Sequence, residues 1–160
     1  MENQNNDEAI IDYANTSEYM KFVLGSMQYA IELPKIREIL TYPEMITILP
    51  NVPEYIKGLI NLRGEVVPVI DLRVKFKTGD IVNNQNTAVI AVVTEDKRMI
   101  GIVVDKVDDV QRLDLTALAP VSDIGSSIPS KYLKGFVRLH NNDMLVIMDI
   151  EAVVSKAELE

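Results

Sequence analysis

YIKGLINLRGEVVPVIDL (residues 55–72) returns as YLKGFVRLHNNDMLVIMDI (residues 132–150), with one extra residue in the turn of the second copy. Tyr55, Lys57, Gly58 and Leu62 fall on Tyr132, Lys134, Gly135 and Leu139, and Asp71 falls on Asp149. Each copy is a pair of short apolar runs broken by a turn, Arg63-Gly64-Glu65 in the first and Asn141-Asn142-Asp143 in the second. Gly, Asn and Asp tolerate the left-handed geometry of tight turns, so each copy reads as a β-hairpin. Upstream, IELPKIREIL (31–40) lines up more loosely with IVVDKVDDVQ (102–111), placing Ile36 over Val107, Glu38 over Asp109 and Ile39 over Val110. The chain therefore reads as two related halves.

Outward from these repeats, short runs rich in Val, Ile, Tyr and Phe predict strands over 19–24, 28–34, 36–39, 59–62, 65–71, 87–95, 98–107, 134–139 and 144–150. About five short strands per half suit a small closed barrel, because closure protects the sheet edges. The expectation is all-β: two related barrels side by side. The polar loop 83–86 divides a first lobe (18–83) from a second (84–155), with exchange of strands between lobes left open. Asp149 is placed to cap a helix over 150–159 with Val153, Val154 and Ala157 facing inward, and Asp71 to cap a single turn over 72–76. Residues 1–17 are polar and acidic without periodicity and read as a mobile tail; 156–160 form the C-terminal end.

Composition removes whole classes of function. The 160 residues carry 16 basic and 24 acidic side chains, a net charge of −8, one His and no Cys or Trp. Without cysteine there is no disulfide, zinc ribbon, iron–sulfur site or thiol nucleophile, and one histidine excludes any two-His metal site. The acidic balance is shared by both halves, which speaks against nucleic acid as a partner. No basic, apolar leader opens the chain, and no apolar run nears the roughly 20 residues of a spanning helix, so a cytoplasmic protein without membrane insertion is expected.

The candidate residues follow. His140 sits beside Asn141 and Asn142 at a hairpin turn, where a solvated side chain is ordinary, and no catalytic role is assigned to it. Asp105, Asp108 and Asp109 lack the spacing of a calcium loop and read as a solvated strand end, so no metal is expected. The glycines form no phosphate-binding pattern and no cofactor is expected. Glu38 and Arg63 are charges on a strand and a hairpin turn. As an exposed pair they would contribute only about 0–1 kcal/mol, whereas an arginine held by a carboxylate is oriented to offer its other donors to a partner. On the residues alone, both readings stand. Gly58 calls for a positive φ or a close backbone approach. Tyr42, Pro43, Met45 and Ile46 form an apolar stretch that is either core or a partner patch.

KFVLGSMQYAIELPKIREIL (21–40), LPNVPEYIKGLINLRGEVVPVIDLRVKF (49–76), GIVVDKVDDV (101–110) and YLKGFVRL (132–139), in this order and spacing, resemble CheW-type bacterial chemotaxis coupling proteins. The resemblance runs from about Tyr19 to Val154, and its most specific element is GLINLRG (58–64) followed by VPVIDL (67–72). It implies two pseudo-symmetric five-stranded SH3-like β-barrels and an adaptor that is not an enzyme. It implies two partners, the CheW-like regulatory domain of a CheA-type histidine kinase and the cytoplasmic hairpin tip of methyl-accepting chemotaxis receptors. Such an adaptor is a monomer in isolation and assembles with kinase into rings or arrays at the membrane receptors. A related adaptor of another chemosensory pathway, such as surface motility, is the alternative. Matched residue by residue, the family's receptor-binding region falls on Ile36, Glu38, Gly58 and Arg63, with Lys57 and Asn61 as neighbours. Tyr42 and Pro43 are the expected kinase contacts.

Overall fold

Ten segments are strands in a computed structural model that describes residues 16–121 and 128–159. These are β1 (Thr16–Leu24), β2 (Met27–Glu32), β3 (Ile36–Thr41), β4 (Ile56–Leu62), β5 (Glu65–Asp71), β6 (Ala88–Val93), β7 (Met99–Val104), β8 (Lys106–Asp114), β9 (Leu133–Arg138) and β10 (Met144–Met148). They form two five-stranded sheets, in the orders β8-β1-β2-β10-β9 and β3-β6-β7-β5-β4. The orders are related strand for strand, with β1–β5 corresponding to β6–β10. In each sheet the first hairpin of one repeat is inserted between strands of the other, so the segments 18–83 and 84–155 do not map one to one onto the sheets.

The registers repeat as well. Ile36 pairs with Val92 as Val107 pairs with Phe22, and Val69 pairs with Gly101 as Ile147 pairs with Ala30. Each sheet is brought round on itself by chain that continues past an edge strand. Thr47, beyond β3, exchanges two 2.8 Å backbone hydrogen bonds with Leu59 of β4, and Ala119, beyond β8, exchanges two of 2.9 Å with Phe136 of β9. The result is two SH3-like barrels.

Three apolar clusters fill them. Tyr19, Ala30, Leu113, Val137, Leu145 and Ile147 occupy one barrel. Ile60, Leu62, Val67, Val69, Val89, Ala91 and Val103 occupy the other. The largest cluster joins both sheets and includes Phe22, Tyr29, Ile31, Ile70, Ile90, Val92, Ile100, Ile102 and Val146. β6 (AVIAVV) sends Ile90 and Val92 into this shared core and Val89 and Ala91 into its own barrel, which is why it reads as an unbroken apolar run.

Asp71 and Asp149 cap the short helices Leu72–Lys75 and Ile150–Val153 by accepting from the Arg73 and Ala152 amides. Beside the first cap, Arg73 is 1% exposed. Its guanidinium bonds both Asp71 oxygens, Asn83 Oδ1 at 2.7 Å and the Val82 carbonyl, so a buried ion pair anchors the chain running into the 83–86 loop.

Several boundaries differ from expectation. The run 98–107 is not one strand: β7 stops at Val104, Asp105 turns the chain by accepting from the Gly25 amide, and β8 begins at Lys106. Asp108 and Asp109 therefore lie within a strand, not at a strand end. β2 ends at Glu32 because Pro34, which has no amide hydrogen, belongs to a 3-10 turn over Leu33–Lys35. The helix over 150–159 is broken after Val153, a separate 3-10 turn covers Lys156–Leu159, and Ala157 is exposed instead of inward. Thr16 and Ser17 already pair with Asp114 and Leu113; the rest of the expected tail, 1–15, lies outside the described residues.

Candidate functional site

β4 and β5 place alternate side chains on opposite faces. Ile56, Gly58, Ile60 and Leu62 are buried, while Lys57 and Leu59 are half-buried and Asn61 is exposed on the other face. Asn61 pairs across the hairpin with Val66, and Leu59 pairs with Pro68. This outer face thus carries an apolar stripe, Leu59, Pro68 and Val66, with Lys57 and Asn61 alongside. Val66 is 67% exposed.

The hairpin turn sets the end of the stripe. Arg63 and Gly64 take φ values of 53° and 85°, and Asn61 Oδ1 accepts from the Gly64 amide at 3.0 Å. The turn carries Arg63 back to the opposite barrel edge, where its Nε donates to Glu38 Oε1 at 2.8 Å. Glu38 is the anchored partner, 21% exposed, and Arg63 is 80% exposed. The hydrogen bond from Arg63 to Glu38, with their mutual attraction, raises the arginine pKa further, so it stays charged. One edge of the guanidinium is fixed and its terminal nitrogens are left to meet a carboxylate or carbonyl. A cleft of about 210 Å³ lies here, lined by Arg37, Glu38, Leu62, Arg63, Glu65 and Met99.

Gly58 takes another part. Its φ is +141°, and a Cβ there would lie 2.1 Å from the Thr47 carbonyl oxygen. It lets the 46–47 segment close over β4 and shapes the face without lining it. Ile36 does not share the outer face of the hairpin either; half-buried at the start of β3, it packs against the core shared by the barrels. The geometry thus joins Glu38 and Arg63 directly, sets Asn61 behind their turn and Lys57 along the same strand, and leaves Ile36 to one side.

Tyr42 is half-buried against its barrel's cluster with Ile46, and Pro43 is half-buried next to it. Beyond them Met45 and Ile48 stand 86% and 81% exposed. Ile48 and Val66 were not among the residues singled out from the sequence. For Val66 the signal was present: in a strand reading Glu-Val-Val-Pro-Val, one of two adjacent valines has to face outward.

The other candidates have ordinary partners. His140 is exposed in its turn. Asp105 accepts from Gly25, Asp108 from Gln28 at 2.8 Å, and Asp109 pairs with Lys21 at 3.0 Å. Among the described residues no group of three or more His, Cys, Asp or Glu could hold a metal ion.

The paired barrels thus present, on one outer face, an apolar stripe ended by an oriented arginine. The chain belongs to the CheW-like domain family, whose model matches residues 18–158. It is 39% identical over 142 residues to the chemotaxis protein CheW of Klebsiella aerogenes, covering 89% of this chain and 84% of that protein. The chemotaxis protein CheW of Helicobacter pylori is 29% identical over 145 residues, 91% of this chain and 86% of that one. The crystal structure of the scaffolding protein TtCheW from Thermoanaerobacter tengcongensis matches with a TM-score of 0.77 at 25% identity, covering 89% of this chain and 91% of that chain.

Proposed function

We propose that this chain is a chemotaxis scaffold with no enzymatic activity of its own, coupling methyl-accepting chemotaxis receptors to a CheA-type histidine kinase. The observation that carries the reading is the family match across 18–158 in a fold shared with a scaffolding protein. The local geometry fits it. A helical receptor hairpin docks by laying an apolar stripe on the outer face of β4–β5, with Arg63 and Glu38 fixing its direction, Lys57 and Asn61 at the flank and Ile36 at the junction with the second barrel. Gly58, on the opposite face of β4, lets the 46–47 segment close against the strand that carries that face. The kinase regulatory domain takes the apolar end formed by Tyr42 and Pro43, extended by Met45 and Ile48.

Holding both partners on one rigid body raises the effective concentration of kinase at the receptor without any new chemistry. Receptor control then requires only that two receptor conformations bind the assembly with free energies differing by about 1–3 kcal/mol. The protein works in the cytoplasm, a monomer when alone, and joins membrane receptor arrays through its partners. Co-sedimentation with a kinase regulatory fragment and a receptor hairpin fragment, singly and together, tests this. A three-way complex is expected; failure of both fragments to bind overturns the reading.

A further inference from the structure

The two tyrosines that open the repeated hairpins, Tyr55 and Tyr132, meet at one residue. The Tyr132 hydroxyl donates to Glu158 Oε1 and the Tyr55 hydroxyl to the Glu158 backbone carbonyl, each at 2.7 Å. Lys75, the last residue of the first repeat's capped turn, donates from its Nζ to the same carboxylate. That Nζ lies 4.0 Å from the Tyr55 ring centroid and 5.4 Å from that of Tyr132, whose ring is tilted against Phe76 at 5.1 Å. Lys75 is 5% exposed and Glu158 17%. A lysine this enclosed is stabilised by the rings and by one carboxylate, and that carboxylate comes from the last turn of the chain.

The connections run further. The Tyr55 and Tyr132 carbonyls accept from the amides of Asp71 and Asp149, so each tyrosine also holds the capped turn that ends its own repeat. The C-terminal chain is tied to the β6–β7 turn and to Lys35 as well. Arg98 donates to the Val154 carbonyl at 2.9 Å, and Glu151 accepts from Lys35 at 2.6 Å and from the Glu95 amide at 3.0 Å. Beside Glu158 a cavity of about 420 Å³ opens, lined by Tyr55, Lys75, Phe76, Lys77, Pro129 and Tyr132. Leu159 packs against the core shared by the barrels, and the rest of the turn is seated by polar contacts next to open space.

We infer that Lys156–Leu159 is a clasp, bound in cis by a cradle of Tyr55, Tyr132 and Lys75, that locks the last hairpin of one repeat to that of the other and opens as a unit separate from the barrel cores. Glu158 acts as its key. At the break in the C-terminal helix the Val154 carbonyl accepts from Arg98, and the Glu158 amide turns back to the Ser155 carbonyl.

Amide hydrogen exchange on the full chain, resolved by residue, tests the clasp. In Glu158→Ala the Asp71 and Asp149 amides, whose acceptors are the two tyrosine carbonyls, should exchange at least about ten-fold faster, while Ile90 and Ile102 change by less than about two-fold. Tyr55→Phe should give part of this acceleration alone and add none on top of Glu158→Ala, since the clasp is already open. Unchanged exchange at Asp71 and Asp149 would show the turn to be a passive end. Equal acceleration throughout, or additive effects of the two substitutions, would show that it does not open as a unit. Should Glu158→Ala fail to fold, Glu158→Gln and Tyr132→Phe carry the same comparison with smaller expected effects.

Discussion

Gly58→Ala should unfold this protein more easily by about 3–5 kcal/mol, for reasons separable by experiment. At φ +141° an L-residue carries backbone strain of about 1–3 kcal/mol. The added methyl would lie 2.1 Å from the Thr47 oxygen, 2.8 Å from its carbonyl carbon and 2.9 Å from Ile46 Cγ2, so the 46–47 backbone must retreat. Retreat breaks the two 2.8 Å hydrogen bonds between Thr47 and Leu59 that close the barrel, worth about 1 kcal/mol each. For a chain of this size the melting temperature should fall by about 10 °C. Urea unfolding followed by far-ultraviolet circular dichroism measures the loss. Gly135→Ala, at φ +153° with its methyl 2.6 Å from the Ala119 oxygen, should cost a similar amount. Gly64→Ala, at φ +85° with no atom within 4 Å, should cost only the strain, about 1 kcal/mol. If all three cost the same, the close approach of Thr47 is not what requires Gly58. If Gly58→Ala costs under about 1 kcal/mol, the steric account of the barrel closure is wrong.

Arg63→Glu, at an exposed position, should shift the melting temperature by no more than about 2 °C yet weaken binding of a receptor hairpin fragment at least about ten-fold; unchanged affinity with a native dichroism spectrum removes Arg63 from the site. Asp71→Ala strands the buried Arg73 charge and should cost about 3–5 kcal/mol in urea unfolding, and adding Arg73→Met should return much of it. Acid should destabilise the fold through four carboxyls held below their usual range. The hydroxyls of Thr94 and Thr116 act on Asp96 and Asp114, and Lys21 acts on Asp109. Burial pushes Glu158 upward, but hydrogen bonds from Lys75 and Tyr132 outweigh it. Because the folded pKa values are the lower ones, this stability is present above about pH 4 and is lost as pH falls through them; melting curves from pH 7 to 2.5 should show it, with a shallower decline in Glu158→Gln.

The repeat was legible because hairpins are local. Tyr55 and Tyr132, Gly58 and Gly135, Asp71 and Asp149 do the same backbone work in both copies, and each leaves a residue that can be read without knowing what lies across the sheet. Which sheet a hairpin joins is a non-local matter. The exchange that puts β1–β2 between β8 and β10 left no mark in the sequence except the two-faced apolarity of strands such as β6. β8 escaped because KVDDVQRLD carries two adjacent aspartates and a register shift opposite Met20 and Phe22; its pairing to β1, not its composition, makes it a strand. Arg73, two residues from Asp71, looks in sequence like a solvated charge, and only the fold shows that both are buried. The helix over 150–159 failed for the opposite reason, since Val153, Val154 and Ala157 have helical spacing but the Val154 carbonyl is taken by Arg98, a partner distant in sequence, and the Glu158 amide by Ser155. Of the site, the residue types were visible, but the bond between Glu38 and Arg63 was favoured only by the family resemblance.

The duplication also shows where the two barrels differ. Counted from the common tyrosine, His140 stands where Arg63 stands, and Asp109 corresponds to Glu38. Yet Asp109 is bound by Lys21 of the neighbouring β1, and the second turn is one residue longer, with Asn142 at φ 68° and Asn141 bonded to Asp143. No equivalent charged pair spans the second barrel's edges among the described residues. Were both edges alike, a partner fitting one would fit the other in a reversed direction, and the body could not fix which way its partner points. In the proposed coupling role, one edge with an anchored glutamate and a projecting arginine, and one without, makes the contact directional. Directional, unlike-to-unlike contacts are what a bracket between two different partners requires.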